Sequence, residues 1–153
     1  MADPRELFSD LVRFETELWD AVDERLRTGV GLPLNWFEPM LVIDQLARCR
    51  VLDIAEALSI TVGGTSKLVD RMESAGLCQR QPNPEDRRSS LITLTAAGQR
   101  RLAAATAHFD AELARQFAAV SASTLDRFHS VLQRLRTASR TVDQPTDQEA
   151  THA

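Results

Sequence analysis

Apolar side chains recur along the first thirty residues at steps of three and four, the spacing of one helix face, until Gly29 to Gly31 interrupt the pattern. A second apolar stripe follows Pro33. For that helix we expect Asn35 as the N-cap and Pro39 in or next to the first turn, where proline is tolerated. The members of the two stripes are Leu7, Leu11, Phe14, Leu18, Val22 and Leu26, then Trp36, Met40, Ile43 and Ala47.

Two shorter helices and a hairpin are predicted next, with helices over residues 52–58 and 61–75. At 100° per residue, the second helix has an inward sector and an opposite, outward sector, and Gly76 supplies its left-handed C-terminal residue. Residues 77–80 and 90–94 read as short strands around a polar, turn-rich tip. The inward residues are Val62, Thr65, Leu68, Val69, Met72 and Ala75, and the outward residues are Gly63, Gly64, Lys67, Arg71 and Ser74.

Two longer helices complete the predicted elements. Thr95 can cap the first of them, and Ser121 and Ser123 mark the turn that follows it. The last helix carries an a/d heptad seam, which requires a partner helix, whereas residues 143–153 lack periodicity and are expected to be disordered. The stripe of the first helix is Leu102, Phe109, Leu113, Phe117 and Val120, and the seam of the second is Leu125, Phe128, Leu132, Leu135 and Val142.

The order of these elements predicts a mainly α fold with a small β-hairpin wing, a winged helix-turn-helix of about six helices. We expect one domain over residues 1–142, in which residues 33–100 form the DNA-binding lobe. Residues 5–28 and 101–142 would then form the dimerisation helices. The candidate dimer-interface residues are Leu7, Leu11, Leu125, Phe128, Leu132 and Leu135.

The distribution of charge supports a DNA-facing surface, although the net charge is −4 and the pI is about 5.4. Residues 1–59 hold 6 basic and 12 acidic groups, whereas residues 60–102 hold 7 basic and 4 acidic groups. Binding to phosphates requires clustered cations rather than a basic protein as a whole. The central third is therefore a basic region within an acidic chain.

Each part of this region has a candidate role in binding DNA. Gly63 and Gly64 lack side chains that would keep a duplex at a distance, and Lys67 and Arg71 can reach phosphates or guanine edges. On the hairpin, Arg87 and Arg88 can enter a minor groove. Asp86 is expected to pair with Arg87, Arg88 or Arg80 and to fix the direction of its guanidinium group. The candidate DNA-binding residues are Thr61, Gly63, Gly64, Thr65, Ser66, Lys67, Arg71, Arg80, Asp86, Arg87 and Arg88.

Residues 50–100 resemble the MarR family of bacterial transcriptional regulators. The resemblance rests on the segments Leu52-Asp53-Ile54-Ala55 and Thr65 to Leu77, on Asp86-Arg87-Arg88-Ser89, and on Leu94-Thr95-Ala96-Ala97-Gly98. It implies a homodimer with interlocked first and last helices, and a recognition helix in the major groove. It also implies a ligand-responsive repressor that binds a pseudo-palindromic operator. Many relatives carry larger polar side chains where this chain has Gly63 and Gly64.

The resemblance further favours a small aromatic acid as effector. Four aromatic side chains on the first two predicted helices are candidates for its pocket, although core packing explains them equally well. Two other functions stay open at this stage: a winged-helix protein-interaction module without an operator, and a thiol-based redox sensor that uses Cys49 or Cys78. The peroxide-sensing relatives carry their cysteine in the first helix, and residues 5–28 contain none. The candidate pocket residues are Phe14, Trp19, Trp36 and Phe37.

Other classes of function find little support in the sequence. His108 and His129 lack the spacing of metal ligands, catalytic motifs are missing, and the chain contains no tyrosine. We therefore expect no enzyme, no metal and no cofactor. The chain also lacks a signal peptide and an apolar run long enough for a bilayer, so the expected location is the cytoplasm, without a membrane partner.

Overall fold

The protein is described from a computed structural model, which places Met1 and residues 3–142 and, up to residue 139, their side chains. The described residues form six helices and one two-stranded antiparallel sheet, which confirms the predicted fold class. The predicted disordered tail, residues 143–153, lies outside the described residues. In chain order, the elements are α1 (Pro4–Val30), α2 (Leu34–Gln45), α3 (Val51–Leu58), α4 (Val62–Ser74), β1 (Cys78–Pro82), β2 (Ser90–Leu94), α5 (Ala96–Gln116) and α6 (Ala122–Val142).

The chain divides into two compact units, Met1–Gln116 and Phe117–Ala153. The first unit contains α1 to α5, the hairpin and the hydrophobic core, in which the rings of Phe37 and Phe109 lie 4.8 Å apart. Each large apolar side chain buried there contributes about 1.5–3 kcal/mol to folding. The second unit contains α6. Fully buried side chains of the core include Leu26, Leu32, Phe37, Met40, Ile54, Val69, Met72 and Ile92.

The start of α2 differs from the prediction because its cap comes from another helix. The Asp23 carboxylate of α1 accepts a 2.7 Å hydrogen bond from the backbone N–H of Leu34, the first residue of α2. Asn35 therefore lies inside the helix and does not cap it. Pro39 lies inside the helix as well, past its first turn, and its ring is buried in the core. Burial of the ring offsets part of the cost of a missing backbone hydrogen bond.

Two of the predicted helices are shorter than their apolar stripes. Helix α2 ends at Gln45, so Ala47 is exposed in the turn that follows. Helix α5 ends at Gln116, and Val120 is exposed in the next turn. The Ser121 hydroxyl accepts the backbone N–H of Thr124 and thereby caps α6, which begins at Ala122 in the region where the turn was predicted.

Helix α4 begins and ends as its capping residues require. The Thr61 hydroxyl accepts the backbone N–H of Gly64 at 3.1 Å, and Gly76 has the expected left-handed conformation, with a φ of 73°. Val62 and Ala75 are exposed, contrary to the predicted inward sector. The reason is that they occupy the two ends of the helix, where no neighbouring turn covers them.

One threonine joins α4, the hairpin and α5. The Thr95 hydroxyl donates to the carbonyl of Gly76 at 2.6 Å and accepts the backbone N–H of Gly98 at 3.0 Å, so it caps α5 as predicted. The Thr95 backbone N–H donates to the carbonyl of Leu77 at 3.0 Å. Within the sheet, Cys78 pairs with Leu94, and Ile92 also donates its N–H to the carbonyl of Cys49 at 2.7 Å. The base of the wing is therefore held from both sides.

We expect the substitution Gly98→Ala to destabilise this junction. A Cβ atom at residue 98 would overlap the carbonyl oxygen of Leu77, a backbone atom that cannot move without disturbing the hairpin. Overpacking of this kind costs about 1–3 kcal/mol. Urea denaturation followed by circular dichroism, at one protein concentration, measures the change in the free energy of unfolding.

Gly63→Ala is the matched control, because a Cβ atom there meets nothing within 4 Å. Removing a glycine from an exposed helix position should raise stability by about 0.5–1 kcal/mol or leave it unchanged. A Gly98→Ala protein as stable as the wild type would contradict the close packing that we describe.

Candidate nucleic-acid interface

The outward face of α4 is basic and nearly bare. Gly63, Gly64, Lys67 and Arg71 are all exposed, and the two cations are one helical turn apart on the same face. Within the described part of the chain, neither Lys67 nor Arg71 forms an ion pair. Both charges are therefore available to an external anion such as a phosphate.

The hydroxyl residues of α4 lie in three different environments. The Thr61 side chain is exposed at the N-cap. Thr65 is fully buried, and its hydroxyl donates to the carbonyl of Thr61 at 2.8 Å. The prediction that Thr65 contacts DNA is therefore wrong, because its hydroxyl is already satisfied inside the protein. Ser66 is half-buried and faces the wing, where it helps to line a cavity of about 350 Å³ together with Arg88.

The wing tip is a turn that presents two arginines. The backbone N–H of Ser89 donates to the carbonyl of Asp86 at 3.1 Å, and the Asp86 carboxylate accepts the backbone N–H of Arg88 at 3.0 Å. Arg87 and Arg88 occupy the two central positions of this turn. The Arg88 side chain is 98% exposed, and its Nε lies 4.0 Å from Asp86, the closest of the pairings predicted for this carboxylate. The turn thus holds both guanidinium groups in solvent.

The tip end of the wing is held by Asn83 and Arg48, which were not among the predicted site residues. The Asn83 side chain is almost fully buried, donates to the Ser89 hydroxyl at 2.9 Å and accepts from Arg48 at 3.1 Å. Arg48 also forms an ion pair with Glu85 at 3.1 Å. The position of Asn83 between Pro82 and Pro84 was an available signal for a structural role. No local pattern pointed to Arg48, because it contacts the wing across 35 residues of chain.

Arg80 forms ion pairs with two carboxylates of α4. Its guanidinium lies 2.7 Å from Asp70 and 2.6 Å from Glu73, and its backbone N–H donates to Glu73 at 2.8 Å. The backbone and side-chain hydrogen bonds from Arg80 hold the pKa of Glu73 below its ordinary value. Arg80 therefore ties β1 to α4, and its charge is neutralised inside the protein.

The four aromatic residues predicted for a ligand pocket occupy different environments. Phe37 is fully buried against Phe109, whereas Trp36 is half-buried and Phe14 is exposed. Trp19 lines an open cavity of about 300 Å³ with Glu15 and Thr16. Phe37 has no exposed surface to offer to a ligand and belongs to the core. A pocket that includes the other three stays a prediction.

Both cysteines are buried and protonated at neutral pH. Burial raises the pKa of Cys49 to about 11, with a further contribution from Asp53. Burial likewise raises the pKa of Cys78 to about 11, with a contribution from Glu73. The thiolate is the reactive form of cysteine, so neither residue has the properties of a peroxide sensor.

Neither a metal cluster nor a membrane span occurs among the described residues. Over that part of the chain, no group of three or more histidine, cysteine, aspartate or glutamate side chains is placed to hold a metal ion. None of the helices that these residues form is both long and apolar enough to cross a membrane.

Comparisons with known proteins show similarity to one family over part of the chain. Residues 34–90 match the sequence model of the MarR family. The HTH-type transcriptional regulator YfiV of Bacillus subtilis is 30% identical over 74 residues, which are 48% of this chain and 45% of that protein. The multiple antibiotic resistance protein MarR of Escherichia coli is 34% identical over 47 residues, 31% of this chain and 33% of that protein. These alignments span less than half the length of either curated relative.

The fold comparison extends over nearly the whole chain. The structure of Sco3205, a MarR family transcriptional regulator from Streptomyces coelicolor solved in complex with DNA, matches with a TM-score of 0.84. The two sequences are 19% identical, and the match covers 97% of this chain and 96% of Sco3205. At this identity, the likeness establishes the fold. The sequence match to the MarR family model is limited to residues 34–90, from the start of α2 to the first residue of β2.

Proposed function

We propose that this protein is a sequence-specific DNA-binding transcription regulator. The observation that carries the proposal is the set of four exposed cations on α4 and the wing tip, Lys67, Arg71, Arg87 and Arg88, beside a face without bulky side chains. Such an arrangement suits a helix in the major groove and arginines in an adjacent minor groove. The DNA complex of Sco3205, which has the same fold, supports it. In this proposal, Arg80 and Asp86 position the wing, and residues 33–100 form the DNA-binding lobe.

We propose further that the protein acts as a homodimer through residues 5–28 and 101–142. Several apolar side chains in the first half of α1 are exposed. On the predicted heptad seam of α6, Phe128 and Leu135 are exposed and Leu125 and Leu132 are half-buried, whereas the side chain of Val142 lies outside the described residues. Exposed apolar stripes on long helices are typical of association surfaces. A two-fold dimer would bind a pseudo-palindromic operator with half-sites about 10 base pairs apart. Binding over a promoter would repress transcription.

The proposed function bears on the location of the protein and on the way an effector would act. A DNA-binding regulator acts where the chromosome is, so we propose that the protein is cytoplasmic. We also propose that it acts by binding and is not an enzyme. A small aromatic acid as effector stays a prediction. It would alter operator affinity by binding the two dimer conformations unequally.

The wing is tested by the double substitution Arg87→Ala with Arg88→Ala. Removing base or phosphate contacts of this kind costs about 1–3 kcal/mol each, so operator affinity should fall at least tenfold. The dependence of affinity on salt should also become shallower, by roughly one unit of slope for each phosphate that the variant no longer binds. Mobility shift at several salt concentrations, on an operator selected from a random duplex pool, measures both.

The matched control is the double substitution Arg134→Ala with Arg136→Ala, which removes two exposed arginines of α6 that lie outside residues 33–100 and off the predicted heptad seam. This variant should keep the wild-type affinity and salt slope. If the wing variant binds with an unchanged affinity and slope, the wing does not enter the DNA groove and the protein-interaction alternative gains support.

Dimerisation is tested by Leu135→Asp. Leu135 is 51% exposed, so a carboxylate there does not disturb the protomer, but it would be buried without a partner in the proposed interface. Sedimentation equilibrium should give the 17.0 kDa monomer for this variant and twice that mass for the wild type. Val120→Asp, at a position of 40% exposure in the turn before α6, should remain dimeric. A dimeric Leu135→Asp protein would exclude this seam.

The redox alternative is tested by thiol reactivity. Because both thiols are buried with a pKa of about 11, we expect the native protein to react only slowly with Ellman's reagent at pH 7.5. Both cysteines should react rapidly after unfolding in guanidinium chloride. Rapid labelling of one thiol in the native protein would restore a redox role.

A further inference from the structure

The N-terminus of α4 exposes a branched apolar side chain. Val62, the first residue of the helix, is 50% exposed, and Ile60, just before the N-cap, is 43% exposed. In the proposed complex, this end of the helix is the part that contacts base edges, because the N-terminal residues of a recognition helix enter the groove. An apolar side chain here can distinguish between bases by van der Waals contact, without a hydrogen bond.

Nothing within the protein requires a glycine at the neighbouring position 63. Its φ is outside the left-handed region, and an added Cβ atom would meet nothing within 4 Å. Gly64 differs, because a Cβ atom there would come within 3.0 Å of the capping Thr61 hydroxyl. A glycine inside a helix costs about 0.5–1 kcal/mol relative to alanine. The close approach of an external body accounts for that cost at Gly63.

Hydrogen-bonding side chains are scarce at this end of the helix. The Thr61 hydroxyl accepts the N–H of Gly64 and keeps only its own hydrogen to donate, and Thr65 is buried. The exposed cations, Lys67 and Arg71, lie more than one turn and more than two turns beyond Val62. In the first turn of the helix, apolar contact with the bases therefore falls to the two methyl groups of Val62.

The major groove has one apolar group among the base edges, the C5-methyl group of thymine. We infer that Val62 packs against a thymine methyl in each operator half-site, while Gly63 lets the helix end approach closely enough for contact. This inference rests on the proposed function. It makes Val62 a specificity-determining residue, in addition to the cations that contact phosphates and guanine.

Replacing thymine by deoxyuridine tests the inference, because it removes the methyl group and leaves base pairing intact. The operator is first selected from a random duplex pool with the full-length protein, and each thymine is then replaced in turn. We expect one position in each half-site at which the replacement weakens wild-type binding by about three- to fivefold, the value of one buried methyl group. Replacement at the other thymines should have no such effect.

Val62→Ala should bind the thymine operator about three- to fivefold more weakly and be indifferent to deoxyuridine at that one position. Val62→Thr, which keeps one methyl group and the branched shape, should bind with intermediate sensitivity. Val120→Ala is the control, since it shortens an equally branched exposed side chain outside α4, and it should keep the full wild-type sensitivity. Circular dichroism verifies that each variant is folded.

Two results would overturn the inference while leaving the proposed function intact. One is a wild-type protein that tolerates deoxyuridine at every position. The other is a Val62→Ala protein whose affinity falls as much as that of the wild type when thymine is replaced by deoxyuridine. If Ile60→Ala instead abolishes the effect of that replacement, the contact belongs to Ile60. If the pool yields no selected sequence, the proposed function itself fails, and the inference fails with it.

Discussion

The contact between Thr95 and the end of α4 is the constraint on which the proposed DNA-binding surface depends. A single hydroxyl accepts the N–H of Gly98 and donates to the carbonyl of Gly76, while the backbone N–H of Thr95 donates to the carbonyl of Leu77. The C-terminus of α4, the base of the hairpin and the N-terminus of α5 therefore meet at one residue. Such close backbone approach leaves no room for a side chain at Gly98. The sequence motif Leu94-Thr95-x-x-Gly98 supplies the hydroxyl and the glycine that this junction requires.

Around this junction, the arginines of the region separate into two groups. Arg48, Arg50 and Arg80 are paired with carboxylates of the same unit, and these pairs fix the wing and the helix-turn-helix in one arrangement. Arg87 and Arg88, like Lys67 and Arg71, point to solvent. Desolvating an unpaired charge is costly, so these cations need either water or an external anion. This separation explains how a protein with a net charge of −4 can present a basic surface.

The order and type of the elements could be predicted from periodicity, because helix and strand patterns are local. The left-handed Gly76 and the cap at Thr95 were predicted for the same reason, since each needs only residues within a few positions. The errors lie where a partner from elsewhere in the chain intervenes. Asn35 was a plausible cap for α2, but the carboxylate of Asp23, eleven residues earlier than Leu34, takes that role.

By itself, the sequence determined the fold class, the basic central region and the arginine turn at the wing tip, since these depend on residue types at short spacing. Only the tertiary structure decided which of the candidate residues face outward. It buried Thr65, neutralised Arg80 with Asp70 and Glu73, and left Val62 exposed beside Gly63. It also placed Arg48 against Asn83 across 35 residues. The reason is that burial and ion pairing are set by neighbours in space, and no local pattern carries that information.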